Sequence, residues 1–290
     1  MAVGFRREAG RRNGQNPAMP PTLTTTTKPR IAILGLGAIG QRVLTSLQGF
    51  MPMDASYAAL VRTPGNVSVD VQRFTDVEAL LDWRPDLAVE SAGHGVVADV
   101  VPRLLRAGTD VVIVSIGALG DARLRDELRL AGQTGGAKLI TVAGAMGGLD
   151  ALEAARGAGL TSVRYIGRKP PLAWAGTPAD NVCDLGAITA ATTVFEGSAA
   201  HAARLFPKNA NVTAAVALAG VGFERTAVQL IADPAVSKNV HELEVEGAFG
   251  RFFIRLENKP LPDNAKTSWL AALSIEAALR RYFDIAPPTL

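Results

Sequence analysis

The chain has 290 residues, 48% hydrophobic and 20% charged, a balance that supports a sizeable core and excludes wholesale disorder. Its single cysteine, Cys183, and its three histidines, His94, His201 and His241, exclude a disulfide framework and a thiolate cluster and leave little for a zinc site. No apolar run reaches the ~18 residues of a spanning helix, and the formal charge of +3 is no nucleic-acid footprint, because it comes from one end.

That end is residues 1–30, where Arg6, Arg7, Arg11, Arg12, Lys28 and Arg30 face only Glu8; without it the net charge is −2. The segment has no apolar h-region and is not a secretory signal. It reads as a disordered basic leader over 1–29, with Met19 as an alternative start. The rest reads as a soluble, cytoplasmic protein with no metal, no membrane span and no nucleic-acid partner. Its length suits two modules sharing an interface.

Ordered structure is expected from Arg30. Ile31-Ala32-Ile33-Leu34 is short, wholly apolar and β-branched, the pattern of a strand buried on both faces. It leads into Gly35-Leu36-Gly37-Ala38-Ile39-Gly40 and then a stretch with Val43, Leu44 and Leu47 at helical spacing. Further apolar runs follow at 57–61, 87–91, 110–119 and 138–146, with helix-like stretches between them. This alternation predicts right-handed βαβ units, hence an α/β fold with a Rossmann-type doubly wound parallel sheet. Past about residue 150 the pattern changes. LDALEAARGAG reads as a helix, TSVRYIGRKP and ATTVFEGS as half-exposed strands, and NVHELEVEGAFGRFFIRLENKP as two strands around Gly247–Gly250. TSWLAALSIEAALRRYF reads as a closing helix. The expected organisation is a dinucleotide-binding unit over 30–148, completed by a helix within 266–290, and a second, mixed α+β unit over 149–265.

The glycine pattern has a mechanism in this setting. Gly35 permits the tight turn, Gly37 lets backbone approach a pyrophosphate, and Gly40 allows helix to pack on strand. Ala38 and Ile39 open the helix, whose free N–H groups and partial positive charge suit phosphates. An NAD-selective site places an acid some 20 residues further on, but here Val61-Arg62-Thr63 follows the second strand. A guanidinium accepts no hydrogen bond from ribose and pairs well with a 2′-phosphate. NADP is therefore expected beside NAD, unless Arg62 is simply solvated at a loop tip.

The second half has to name the chemistry. Gly144-Ala145-Met146-Gly147-Gly148-Leu149-Asp150, Phe206-Pro207-Lys208-Asn209-Ala210-Asn211-Val212 and Val240-His241-Glu242-Leu243 stand out, with Glu90-Ser91-Ala92-Gly93-His94 and Gly222-Phe223-Glu224-Arg225-Thr226. Lying in both halves and in the family's own order, across residues 30–290, they resemble the L-aspartate dehydrogenase family. The resemblance implies NAD(P)-dependent oxidative deamination of L-aspartate to iminosuccinate, which hydrolyses to oxaloacetate and ammonia and in some organisms feeds NAD biosynthesis. It also implies that His241 is the active-site histidine and that Ala145 and Asn211 contact the nicotinamide side. Asn209, two residues earlier, is an alternative for that contact.

The residue chemistry is compatible with this. Deamination needs the amine deprotonated and the imine hydrated, work suited to a group titrating near neutrality. Strand alternation puts His241 with Leu243 and Val245, a face where a satisfied core histidine is equally at home. Ala92, Gly93 and His94 follow the third strand, on the edge where ligands bind in open α/β sheets. His201 reads as an exposed helical residue. Arg168, Lys169 and Lys208 are the cations offered to a dicarboxylate, or else solvated loop charges. Asn209 and Asn211 could instead cap the following helix. Among rivals, an acylating aldehyde dehydrogenase needs a reactive cysteine, which Cys183 is not placed to be. A dihydrodipicolinate-type reductase usually carries paired histidines, absent here. Homoserine dehydrogenase and a catalytically silent dinucleotide sensor remain. A homodimer is expected, paired through the second unit's sheet.

Overall fold

The computed structural model describes residues 28–51, 54–63, 71–261 and 264–285, with residues 208 and 264–267 as backbone only. The basic leader falls almost wholly on residues 1–27 and so outside the described residues. Among the described residues the first sheet has six parallel strands. They are β1 (Arg30–Leu34), β2 (Ser56–Leu60), β3 (Gln72–Phe74), β4 (Leu87–Glu90), β5 (Asp110–Ile113) and β6 (Leu139–Thr141). Their order is β3-β2-β1-β4-β5-β6, so the topology reverses beside β1. That arrangement is the doubly wound nucleotide-binding plan, whose ligand crevice lies at the strands' carboxyl ends at the switch point. Helices α1 (Ala38–Phe50), α2 (Val77–Asp82), α3 (His94–Asp99), α4 (Val101–Arg106) and α5 (Ala122–Gly135) supply the crossovers.

Burial on both faces explains the unbroken apolar strands. Ile31 and Ile33 point into a core with Val43, Leu44 and Leu47 of α1, while Ala32 and Leu34 face a second core with Val97, Leu104 and Val111. The runs at 110–119 and 138–146 are strands only at their starts. After β5 the chain turns into a 3-10 helix at Ile116–Gly120, and after β6 it bends through Gly144, φ +66°. Strand β3 escapes the sequence reading because it is three residues long and only partly apolar.

Helix α6 (Leu149–Ala155) leads to the second sheet: β7 (Leu160–Lys169), β8 (Thr192–Ser198), β9 (Ala227–Ala232), β10 (Asn239–Gly247) and β11 (Gly250–Asn258). Its order is β11-β10-β7-β9-β8, antiparallel except for the parallel β7–β9 pair. Helices α7 (Ala199–Leu205) and α8 (Ala210–Ala219) lie within this half, and α8 is buried along most of its length. A short ladder, β12 (Pro260–Leu261) with β13 (Asn264–Ser268), precedes α9 (Trp269–Tyr282). There the chain returns to the first sheet: Ile275, Ala278 and Leu279 share the core of Ile31 and Ile33. Among the described residues no helix is long and apolar enough to cross a membrane.

One side chain ties the nucleotide edge together. Glu90, fully buried at the end of β4, accepts hydrogen bonds from Ala92 N (2.7 Å), Gly93 N (2.7 Å), Ser115 N (3.0 Å) and Ser115 Oγ (2.9 Å). The carboxylate thereby fixes the turns after both β4 and β5. Glu90→Gln keeps the shape but puts an NH2 against N–H donors, so it should destabilise the fold by about 2–3 kcal/mol. Urea unfolding checks this; an unchanged midpoint contradicts it.

Candidate active site

The glycine turn has the geometry its residues suggested. Gly35 adopts φ +92°, and a Cβ there would lie 2.8 Å from that of Ala92. At Gly40 a Cβ would fall 2.0 Å from the Gly35 carbonyl oxygen, so any side chain would separate α1 from the turn. Gly37 is different: nothing lies within 4 Å of a Cβ placed there. This exposed glycine is the N-cap of α1, contributes no side-chain cap, and is followed by a first turn without acids. Gly37, exposed Ala38 and half-buried Ile39 thus leave an uncapped helix start facing open space, which fits a dinucleotide's phosphates. Arg62 is exposed just past β2, beside β1 in the sheet.

A second cluster completes the edge. Gly93 has φ +115° and starts α3. His94 Nε2 and Asn211 Oδ1 would lie 2.7 and 2.9 Å from a Cβ on Gly117, so these three residues converge. Asn211 Oδ1 accepts from Gly117 N at 2.9 Å, and Asn258 Nδ2 donates to the Ala145 carbonyl at 2.7 Å. Neither Asn209 nor Asn211 caps α8 through its side chain: Asn209 sits at the N-cap with no such bond, its amide oxygen being taken by Lys169.

Between the two sheets lies a cavity of about 200 Å³ that brings together Ile39, Ala145, Asn211, Arg168, Lys169 and His241. Ser268 also lines it, with an Oγ that is buried and has no hydrogen-bond partner among the described residues. Strand register explains what faces it. Pairing of His241 with Gly167 places Tyr165, Gly167 and Lys169 on His241's face of the sheet and Arg168 on the opposite face with Glu242. Tyr165 leans along the strand and its hydroxyl meets His241 Nδ1 at 2.7 Å. Gly167 makes this reach possible, since a Cβ there would lie 2.8 Å from that hydroxyl.

The electrostatics follow from burial. Burial first, then repulsion from Lys169, lowers the His241 pKa to about 4, so the ring is neutral near pH 7. Burial lowers Lys169 to about 8 and pushes the Tyr165 phenol well above its usual range. Lys169 sits 5.0 Å from the Trp174 ring centroid, donates to Asn209 Oδ1, and has no carboxylate partner among the described residues. Arg168 is held instead by Glu242 (3.0 Å) and Asp233 (3.4 Å), with Arg255 on the other side of Glu242. The side chain of Lys208 lies outside the described residues. His201 is exposed on α7, and Cys183 is only half-buried, its thiol directed at the Ala179 carbonyl. Sequence reading missed Tyr165, Trp174 and the anchoring role of Glu90. Only the glycine two residues beyond Tyr165 hinted at the first.

Comparison with known proteins places both halves. Residues 35–141 match the family model described as the NAD-binding domain of homoserine dehydrogenase, and residues 150–282 match that of the aspartate dehydrogenase C-terminal domain. The first half therefore binds a nicotinamide dinucleotide. The L-aspartate dehydrogenase of a Polaromonas species is 46% identical over 256 residues, covering 86% of this chain and 96% of that protein. That of Methanosarcina acetivorans is 40% identical over 264 residues, covering 88% and 97%. The crystal structure of aspartate dehydrogenase from Thermotoga maritima superposes with a TM-score of 0.72 at 25% identity, over 91% of this chain and 99% of that one. With relatives of this identity matched over nearly the whole of their own length, the chain belongs to the L-aspartate dehydrogenase family.

Proposed function

We propose that this enzyme catalyses the reversible NAD(P)-dependent oxidative deamination of L-aspartate to iminosuccinate, and thence oxaloacetate and ammonia. The observation that carries this reading is the cavity itself, which joins the nucleotide edge to a buried histidine and a lysine with no carboxylate partner among the described residues. Gly35, Gly37, Ala38, Ile39 and Gly40 hold the phosphates, and Ala92, Gly93, His94, Ala145 and Asn211 line the way to the nicotinamide. When bound, that group supplies the hydride acceptor. Arg62, exposed beyond β2, pairs with a 2′-phosphate, so both NAD and NADP are accepted.

The chain's own work is orientation and proton transfer. Arg168 and Lys208 offer positive charge to the substrate carboxylates, and Lys169 faces the reacting centre from His241's side of the sheet. His241 exchanges protons with the reacting centre, its ring steadied by Tyr165. The outer face of the second sheet exposes Phe253, and Phe249 projects from the neighbouring turn, which suits pairing into a homodimer. The substrates are small and water-soluble, which fits a cytoplasmic enzyme.

Purified protein should change reduced-nicotinamide absorbance with L-aspartate in one direction and with oxaloacetate plus ammonium in the other; homoserine turnover in their place would reassign the substrate. His241→Ala should lower turnover by ~10²–10⁴ with dinucleotide affinity nearly intact, and wild-type turnover in that variant would remove the histidine from the chemistry. Arg62→Ala should weaken NADP more than NAD in a binding titration; equal losses would dismiss the 2′-phosphate contact.

A further inference from the structure

Oxidation of an amino acid begins with loss of a proton from its ammonium group, because the nitrogen lone pair must be free before hydride leaves the adjacent carbon. Two facts disfavour His241 as the first acceptor. Its Nδ1 is bound to the Tyr165 hydroxyl at 2.7 Å, and that hydroxyl has no other hydrogen-bond partner among the described residues. A buried hydroxyl proton left without an acceptor is costly, so the hydroxyl donates to Nδ1. The proton of the neutral ring then sits on Nε2, and the ring meets the cavity as a donor.

Among the described residues the other nitrogen bases lining the cavity are Arg168 and Lys169. Arg168 lies on the opposite sheet face, shared between Glu242 and Asp233, and a guanidinium does not deprotonate in proteins. Lys169 lies on the face of His241. Its surroundings are an amide oxygen, the ring of Trp174, the Tyr165 phenol and neutral His241, with Asp233 from the end of β9 turned to Arg168 and the Ala235 N–H. Among the described residues nothing there holds the ammonium charged in the way a carboxylate would.

Resting on the reading of this cavity as the aspartate site, we propose that Lys169 is the catalytic base that takes the proton from the substrate ammonium. A bond forms from the free amine Nζ to that proton as the substrate N–H bond breaks, leaving a neutral substrate amine and a charged Lys169, which releases the proton to solvent after turnover. His241 acts later, once the imine meets water, presenting its Nε2–H to the reacting centre while Nδ1 stays anchored on the Tyr165 hydroxyl. Burial sets Lys169 near pH 8, where an amine both exists in quantity and holds a proton well. The active amine form grows as pH rises through that value.

Lys169→Arg separates this role from simple carboxylate attraction, since arginine keeps the charge but cannot act as a base. The expected result is a fall in kcat for aspartate of ~10² or more with KM changed much less, and loss of the rate increase near pH 8. Wild-type protein that oxidises aspartate alongside an equally active Lys169→Arg overturns the inference and leaves the proposed reaction standing. Two further readouts need no substrate. Nitrogen NMR of the three histidines should find His241 with its proton on Nε2, and lysine NMR, assigned with the arginine variant, should find Lys169 titrating near 8. A proton on Nδ1 of His241, or an ordinary lysine titration, overturns the inference whatever the substrate proves to be.

Discussion

The buried carboxylate of Glu90 is the constraint on which the nucleotide edge depends. Strands β4 and β5 end side by side, and each must turn sharply to leave room for a ligand at the switch point. Turns of this kind strand backbone N–H groups away from water, a cost that a folded chain has to offset. One acid takes three such groups and a hydroxyl. In doing so it sets Ala92 against Gly35 and brings Ser115 to the start of the 3-10 helix, whose Gly117 then meets Asn211 of the other half. The geometry of the cavity is thus inherited from a residue that does not line it.

Charge is distributed in the cavity by strand alternation. Adjacent residues of β7 point to opposite faces, so Arg168 and Lys169, alike in sequence, live in different environments. Arg168 joins Glu242, Asp233 and Arg255 in a network that neutralises itself. Lys169 is left beside an amide and an aromatic ring, where its charge is poorly solvated and its proton more easily given up. The same charge depresses His241, so loss of the Lys169 proton relieves the repulsion on the ring.

Most of the architecture was legible because it follows from short-range pattern. Doubly buried strands, a glycine turn with three separate steric demands, and alternation around Gly247–Gly250 are local properties, and each survives into the structure. What stayed hidden depends on distant partners. Strand β9 (AVQLIA) gains its place from parallel pairing with β7, some 60 residues away, which no local turn announces. Glu90 stood in a quoted motif, yet its partner Ser115 is 25 residues on. Glu242 alternates with exposed Glu244 and Glu246 and reads like them, but lies buried between two arginines. Tyr165 reaches His241 only through register across β7 and β10, and through the absence of a side chain at Gly167.

The return of α9 to the first sheet has a consequence for biosynthesis. Ile275, Ala278 and Leu279 cover the face of β1 formed by Ile31 and Ile33, so a helix made late shields a strand made early. On a ribosome adding ~5–20 residues per second, the part of that face covered by α9 stays open until residues 269–282 have followed it out. The nucleotide-binding half therefore completes this core only after the second half has been made.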